Sequence, residues 1–176
     1  HVTARCLARG GKAAKMQVIE TKGMWGGLLL TRSPDRVTLT VTMTQHEEKA
    51  VLKWMPELAK SGKLPADVPK GASLRRMLDA LELDTESTGP LNAEQKDVQS
   101  IVGHLRWMVR VLIRLTKAVH HLSCVAARAR CPAGKLAALG VLHEAWLCRE
   151  EGLTYGGGFG TTVLTGALKG TVKGKE

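Results

Sequence analysis

The chain has 176 residues, 44% of them hydrophobic and 24% charged, with 26 Lys and Arg against 16 Asp and Glu for a formal charge of +10. That apolar content excludes an unstructured acidic or low-complexity chain. Its hydrophobic stretches are interrupted by Arg or Lys, which excludes a membrane-spanning run of roughly 18 or more apolar residues. A chain of this length forms one modest domain or a piece of a larger one, burying about 70% of its unfolded surface. No charged-then-apolar signal segment opens it. Cys6, Cys124, Cys131 and Cys148 never form a Cys-x-x-Cys pair, so the thiols read as reduced and the protein as intracellular, in cytoplasm or nucleus. Residue 1 is His and the chain closes on Lys-Gly-Lys-Glu176 without a capped element, so it reads as an excerpt.

Residues 1–22 carry Arg5, Arg9, Lys12, Lys15 and Lys22 against a single Glu20 and show little periodicity. Gly26-Gly27-Leu-Leu-Leu-Thr31 reads as an apolar strand, and Ser33-Pro34-Asp35 as a turn. Val37 to Met43 alternates at period two: Val37, Leu39, Val41 and Met43 face one way, Thr38, Thr40 and Thr42 the other. The two runs predict a β-hairpin with one face on a core. Thr44, three residues before Glu47, predicts a capping box at the start of a helix that runs through Ala50, Val51 and Trp54 and ends near Pro56. Residues 60–73 hold two Pro and two Gly and read as loop, with a short helix over Leu74–Leu83 and another loop to Pro90. Asn92 and Gln95 give a second capping signal, and no Pro or Gly pair interrupts the chain until Cys131-Pro132. A further helix is expected from about Ala133 to Glu151, stopped by Gly152 as its C′ residue. The tail holds Gly156-Gly157-Gly158, a linker rather than a phosphate loop, and an expected strand at Thr161–Leu164. The predicted fold class is α+β: a β-hairpin with a following helix, a mainly helical segment, and a short β or coil tail.

Between Asp97 and Glu144 there is no acidic residue, while the span holds Arg106, Arg110, Arg114, Lys117, Arg128, Arg130 and Lys135. Arg106, Arg110, Arg114 and Lys117, spaced 4, 4 and 3, form one stripe on a continuous helix at about 100° per residue. Ile101, Leu105, Met108, Val109, Leu112, Thr116 and Val119 fall opposite and predict the core face. Gln99, Gly103 and Trp107 run beside the stripe. A Trp gains little on a charged face unless something covers it, and a mid-helix Gly marks a close approach by another backbone. A polar hook, a gap and a flat ring beside four cations suit a nucleic-acid groove. The plainer readings are a solvated basic face, a Gly packed on a neighbouring helix, and a Trp lying under the 60–90 loop. His120, Cys124 and Cys131 lack a fourth ligand for a structural zinc site, so no metal is assigned. One of His120 and His121 is expected to be buried and the other exposed.

Gln99-Ser-Ile-Val-Gly-His-Leu-Arg-Trp107 resembles the thumb-helix motif Gln-x-x-Val-Gly-x-Leu-x-Trp of reverse transcriptases. In order along the chain, other segments are similar to Ty1/copia-type retrotransposon polyproteins. Met24-Trp25-Gly26-Gly27-Leu28-Leu29 stands where those carry a Phe-Leu-Gly-Ile-Glu-Ile hairpin, Met43-Thr44-Gln45 where a strand ends in Leu-Thr-Gln. Ala118-Val119-His120-His121-Leu122-Ser123 matches an Ala-Val-x-x-Leu-Ser segment, and Gly152-Leu-Thr-Tyr-Gly-Gly157 the exit toward a ribonuclease H domain. The family's Thr-Arg-Pro-Asp is replaced by Val111-Leu-Ile-Arg114, which leaves open whether the long helix breaks there.

The resemblance implies the end of a palm at 1–59, a linker with a short helix at 60–90, thumb-like helices at 91–152, and a tail at 153–176 leading toward a ribonuclease H-like domain. It implies a primer-grip role for Met24, Trp25 and Gly26. It implies a minor-groove track at Gln99, Gly103 and Trp107, with Arg106, Arg110, Arg114 and Lys117 on phosphates. The expected partners are an RNA–DNA hybrid or DNA duplex and the remaining segments of the same polyprotein, with no membrane. Phosphoryl transfer in such polymerases needs clustered carboxylates and Mg²⁺. Before residue 35 the only acid is Glu20, and the tail after 157 offers only Glu176. The Mg²⁺ and its ligands are therefore expected in the complete polymerase and no catalytic residue in this chain. The alternative is a stand-alone basic helical module that binds nucleic acid or a protein without catalytic activity.

Overall fold

A computed structural model of the chain describes residues 21–156, apart from Gly26, Arg36, 83–89 and 129–130. The fold is α+β, with a four-stranded antiparallel sheet in the order β1-β2-β3-β4 and six α-helices among the described residues. The strands are β1 (Lys22–Trp25), β2 (Leu28–Arg32), β3 (Thr38–Thr42) and β4 (Leu153–Gly156). The helices are α1 (Thr44–Trp54), α2 (Pro56–Ser61), α3 (Gly71–Glu82), α4 (Ala93–Met108), α5 (Thr116–Ala126) and α6 (Gly134–Leu147).

The expected hairpin is β2–β3, with Leu30 opposite Val41 and Thr31 opposite Thr40. Its turn is held as the Ser-Pro-Asp signal requires. The Thr38 N–H donates to Ser33 Oγ at 2.9 Å, and the Val37 N–H donates to Asp35 Oδ1 at 3.0 Å. The Ser33 hydroxyl first, and then the Val37 N–H, hold the Asp35 carboxyl below its ordinary range. The period-two face is real: Val41 and Met43 are buried and Leu39 half-buried, while Val37, beside the turn, is exposed. β4 was not anticipated. It joins the far side of β3, with Thr154 opposite Thr40 and their hydroxyls 3.4 Å apart. The expected strand at 161–164 lies outside the described residues.

Several helix boundaries differ from the sequence reading. The Thr44–Glu47 capping box does not form: Met43 is the N-cap residue with no side-chain cap bond. The Thr44 hydroxyl turns away to the carbonyl of Arg149, 3.4 Å off, and Glu47 is drawn into the interior. Pro56 ends α1 and also starts α2, occupying an N-terminal position where its missing N–H costs nothing. α3 begins at Gly71, three residues before the expected start, and Leu74, Leu78 and Leu81 pack it into the main core. The α4 cap is as expected, the Gln95 N–H donating to Asn92 Oδ1 at 2.7 Å.

The long helix breaks. α4 stops at Met108, turns follow, and a short 3-10 segment over Ile113–Leu115 leads into α5. The N–H groups of Arg110 and Val111 reach back only three residues, to Trp107 and Met108, and Leu112 leaves the helical region at φ −90, ψ 66. Val109, Val111 and Ile113 are β-branched and favour a helix little. The break is set by packing: Val111 joins the sheet's core, while Leu112 and Leu115 join the helical one. One regular helix would not divide these side chains between the two clusters.

α6 is the central helix, with Ala137, Ala138, Val141, Leu142 and Ala145 fully buried, as expected of a helix apolar on all sides. It ends at Leu147, four residues short of the expected Glu151. Gly152 is therefore no helix cap. It lies so close to β3 that a Cβ there would come within 2.5 Å of the Val41 carbonyl oxygen. No described helix is long and apolar enough to cross a membrane.

Candidate nucleic-acid interface

The break in the long helix decides where the basic residues go. Arg106 is on α4, Arg110 in the turn, Arg114 in the 3-10 segment and Lys117 on α5, so the single four-residue stripe does not exist. Arg106 Nε donates to Ser123 Oγ of α5 at 3.1 Å. Arg110 lies over the Trp107 ring, 3.9 Å from its centroid. Arg114 pairs with Glu151 at 3.1 Å and also touches the Cys148 thiol. Lys117 is exposed. Other cations of the acid-free span are tied into the fold. Arg128 Nη1 donates to the Leu81 carbonyl at 2.8 Å, at the end of α3, and Lys135 pairs with Asp97 at 2.7 Å. A span free of acids in sequence is thus matched with carbonyls and carboxylates from elsewhere.

Gln99, Gly103 and Arg106 do come together. With Val102 they form one wall of an open groove whose other wall is Ser123, Ala126 and Ala127 of α5 and the turn after it, enclosing ≈ 310 Å³. Gln99 Nε2 donates across its floor to the Ala126 carbonyl at 3.0 Å. Gly103 does not pack on a neighbouring helix, the plainer of its two readings: a Cβ there would meet nothing within 4 Å. It leaves the helix surface flat and open.

Trp107 points elsewhere. It is half-buried against the sheet's small core of Leu30, Val41, Met43 and Val111. It does not sit in the Gln99–Gly103 groove. Its Nε1 lies 3.8 Å from where a Cβ on Gly27 would stand, so the ring abuts the β1–β2 corner. Gly27 takes φ +82 there, the left-handed conformation that a tight corner asks of Gly. Of the hairpin residues singled out from the sequence, Met24 is half-buried and opposite Leu29, Trp25 pairs with Leu28 in the ladder, and Gly26 lies outside the described residues. The fold therefore brings Trp107 to the hairpin corner and leaves Gln99 and Gly103 in a separate groove on the same helix.

Beside Trp107 lies a pair that sequence reading passed over. The His46 and His104 rings are 5.3 Å apart, and His46 is 6.5 Å from the Trp107 ring. Burial, and then the neighbouring His104, lower the His46 pKa; burial and then Lys53 lower that of His104. Glu47 is the other omission. It is fully buried, neither carboxyl oxygen has a hydrogen-bond partner among the described residues, and burial, with Glu150 next, raises its pKa to about 8. Its burial is not legible in the sequence, because the same Thr-x-x-Glu spacing serves an exposed cap. His120 is exposed and His121 half-buried.

Among the described residues no three His, Cys, Asp or Glu side chains gather as a metal site would require. These residues do not fit a two-metal centre. Compared with known protein families, with curated proteins and with solved structures, the chain matches none.

Proposed function

We propose that this chain is the duplex-gripping part of a copia-type reverse transcriptase, with the catalytic carboxylates, Mg²⁺ and ribonuclease H supplied by adjoining segments of one polyprotein. The observation that carries this reading is the open groove at Gly103. A helix face without a side chain lets a sugar–phosphate backbone approach closely. Arg106 beside it offers charge to a phosphate, and the Gln99 amide offers both a donor and an acceptor. Trp107, at the end of the same helix, abuts the hairpin corner to which the primer-grip role is assigned.

The alternative is a stand-alone basic helical module. It draws support from Gln99 and Arg106, whose polar groups already bridge α4 to α5. A grip requires those bonds to exchange for nucleic-acid contacts, and it should prefer a primed duplex to single strands. Both would weaken with salt, since both bind phosphates through cations.

Gly103→Leu tests the groove, and the ratio of primed-duplex to single-strand affinity separates the two readings. The new side chain projects into open space, so the fold should keep its melting temperature. Affinity for an RNA–DNA hybrid, read by fluorescence anisotropy, should fall by about tenfold or more, roughly 1.4 kcal/mol. A folded variant that binds the hybrid as tightly as the parent would end the groove reading. The purified chain should incorporate no dNTP on a primed template; incorporation would show that it holds a catalytic centre after all.

A further inference from the structure

A second cleft, sharing no lining residue with the groove, lies between the start of α3, the 3-10 segment and α6. Lys70, Gly71, Arg75, Arg114, Leu115, His143, Glu144 and Leu147 enclose ≈ 600 Å³. Three features of it favour an anion. Three cations face one carboxylate in the lining. Arg114 also reaches Glu151, but both side chains are more than half exposed and solvent screens that pair. α3 begins at the cleft with no acidic residue in its first turn, so the positive end of its dipole is uncompensated and its first N–H groups lack intrahelical acceptors. His143 is more than nine-tenths buried in the wall, and its Nδ1 has no hydrogen-bond partner among the described residues.

That last feature is the telling one. A buried ring nitrogen without a partner costs free energy unless a ligand or water satisfies it. Burial, and then the nearby Lys70 charge, lower the His143 pKa, so at neutral pH the ring is uncharged and carries a single N–H.

We infer that this cleft binds a phosphomonoester dianion, held by Lys70, Arg75 and Arg114, the α3 N-terminus and, once its ring turns out of the wall, His143 Nδ1. The three cations and single carboxylate of the lining leave a net charge of two to be matched. Leu115 in the wall gives the cleft an apolar surface against which a small organic body bearing a terminal phosphate can lie. The inference stands apart from the α4–α5 groove and does not depend on it.

The 176-residue chain is titrated with inorganic phosphate and with a nucleoside monophosphate, following heat and the His143 ring resonances. Saturable binding with a shift at His143 is expected, the ring's pKa rising as the anion settles beside it. Arg75→Gln and Lys70→Gln alter exposed side chains and should keep the fold, checked by circular dichroism. Each should weaken binding by about tenfold, as loss of one charge-assisted contact does. Lys60→Gln, on α2 and in neither cleft, should leave it unchanged. Absence of a saturable His143 shift, or unaltered affinity in the Lys70→Gln, Arg75→Gln double variant, overturns the inference. The source of the phosphate is read from oligonucleotides. Binding of a 5′-phosphorylated strand but not its 5′-hydroxyl twin supports a strand end, and equal binding of the monophosphate alone supports a free small molecule. A 5′-hydroxyl strand that competes for His143 as well as either would refute a monoester site.

Discussion

The sheet and the helical body of this molecule are held together on different terms. Among the described residues the helical core gathers twenty-five buried residues from all six helices and the turns between them, many of them Leu, Val and Ala that pack by shape alone. The sheet's own core has four: Leu30, Val41, Met43 and Val111, the last borrowed from the break after α4. So few buried residues give a small sheet little independent stability. Its attachment rests on a handful of individual contacts, among them Trp107 and Gly152, and the chain passes from β3 directly into α1, where Glu47 is buried. Substitutions of equal size should therefore have unequal consequences in the two regions.

The largest expected effect is at Glu47. Its pKa is raised to about 8 from the ordinary 4.5, so the folded state holds a proton that the unfolded chain releases. Its contribution is fully present below the unfolded value and is lost as pH rises through about 8. The loss accumulates at ~1.4 kcal/mol per pH unit, giving a decline on the order of 3–5 kcal/mol over that window. Glu47→Gln should flatten the profile and raise the melting temperature at pH 8 to 9. An unchanged pH dependence of denaturant midpoints would mean that Glu47 does not titrate with folding and that the junction is less costly than its burial implies.

Gly152→Ala comes next. The new methyl would meet the Val41 carbonyl and the Thr42 and Thr40 methyls at 2.5–3.0 Å, and two of the three neighbours belong to side chains fixed in the sheet. Forcing β4 away from β3 should cost about 1–3 kcal/mol, the range for an overfilled site. Urea unfolding would measure it; a neutral result would show that β4 is not needed to hold the sheet. Smaller in its effect on the fold is Trp107→Ala, which removes a half-buried ring. It should weaken RNA–DNA hybrid binding by on the order of 1–3 kcal/mol, measured where circular dichroism shows the fold intact. Intact binding accompanied by a large drop in melting temperature would make Trp107 a pure fastener of sheet to helix.

What could be read in advance was local. The alternation of Leu39, Val41 and Met43, the Ser33-Pro34-Asp35 turn and the Asn92 cap each depend on neighbours a few residues away, and each forms as expected; Val37, just before the strand, is exposed. The candidate groove was half legible: Gln99, Gly103 and Arg106 share a helix face at the spacing that a regular helix imposes. The rest of the stripe was not, because its geometry assumed that α4 continues through Arg114. Nothing in Val109-Arg-Val-Leu-Ile113 forbids a helix outright, and no Pro or Gly marks the stop.

Composition and period determined that this chain is an α+β protein with a hairpin, a capped helix and an excess of positive charge. Three things were left to the tertiary structure: the break that separates Arg106 from Arg114, the burial of Glu47 in place of a cap, and β4 as the fourth strand. Each depends on which distant surface lies across from a residue. A helix propensity differing by a few tenths of a kcal/mol per residue is easily outweighed when Val111 can be buried on the sheet and Leu112 in the helical body.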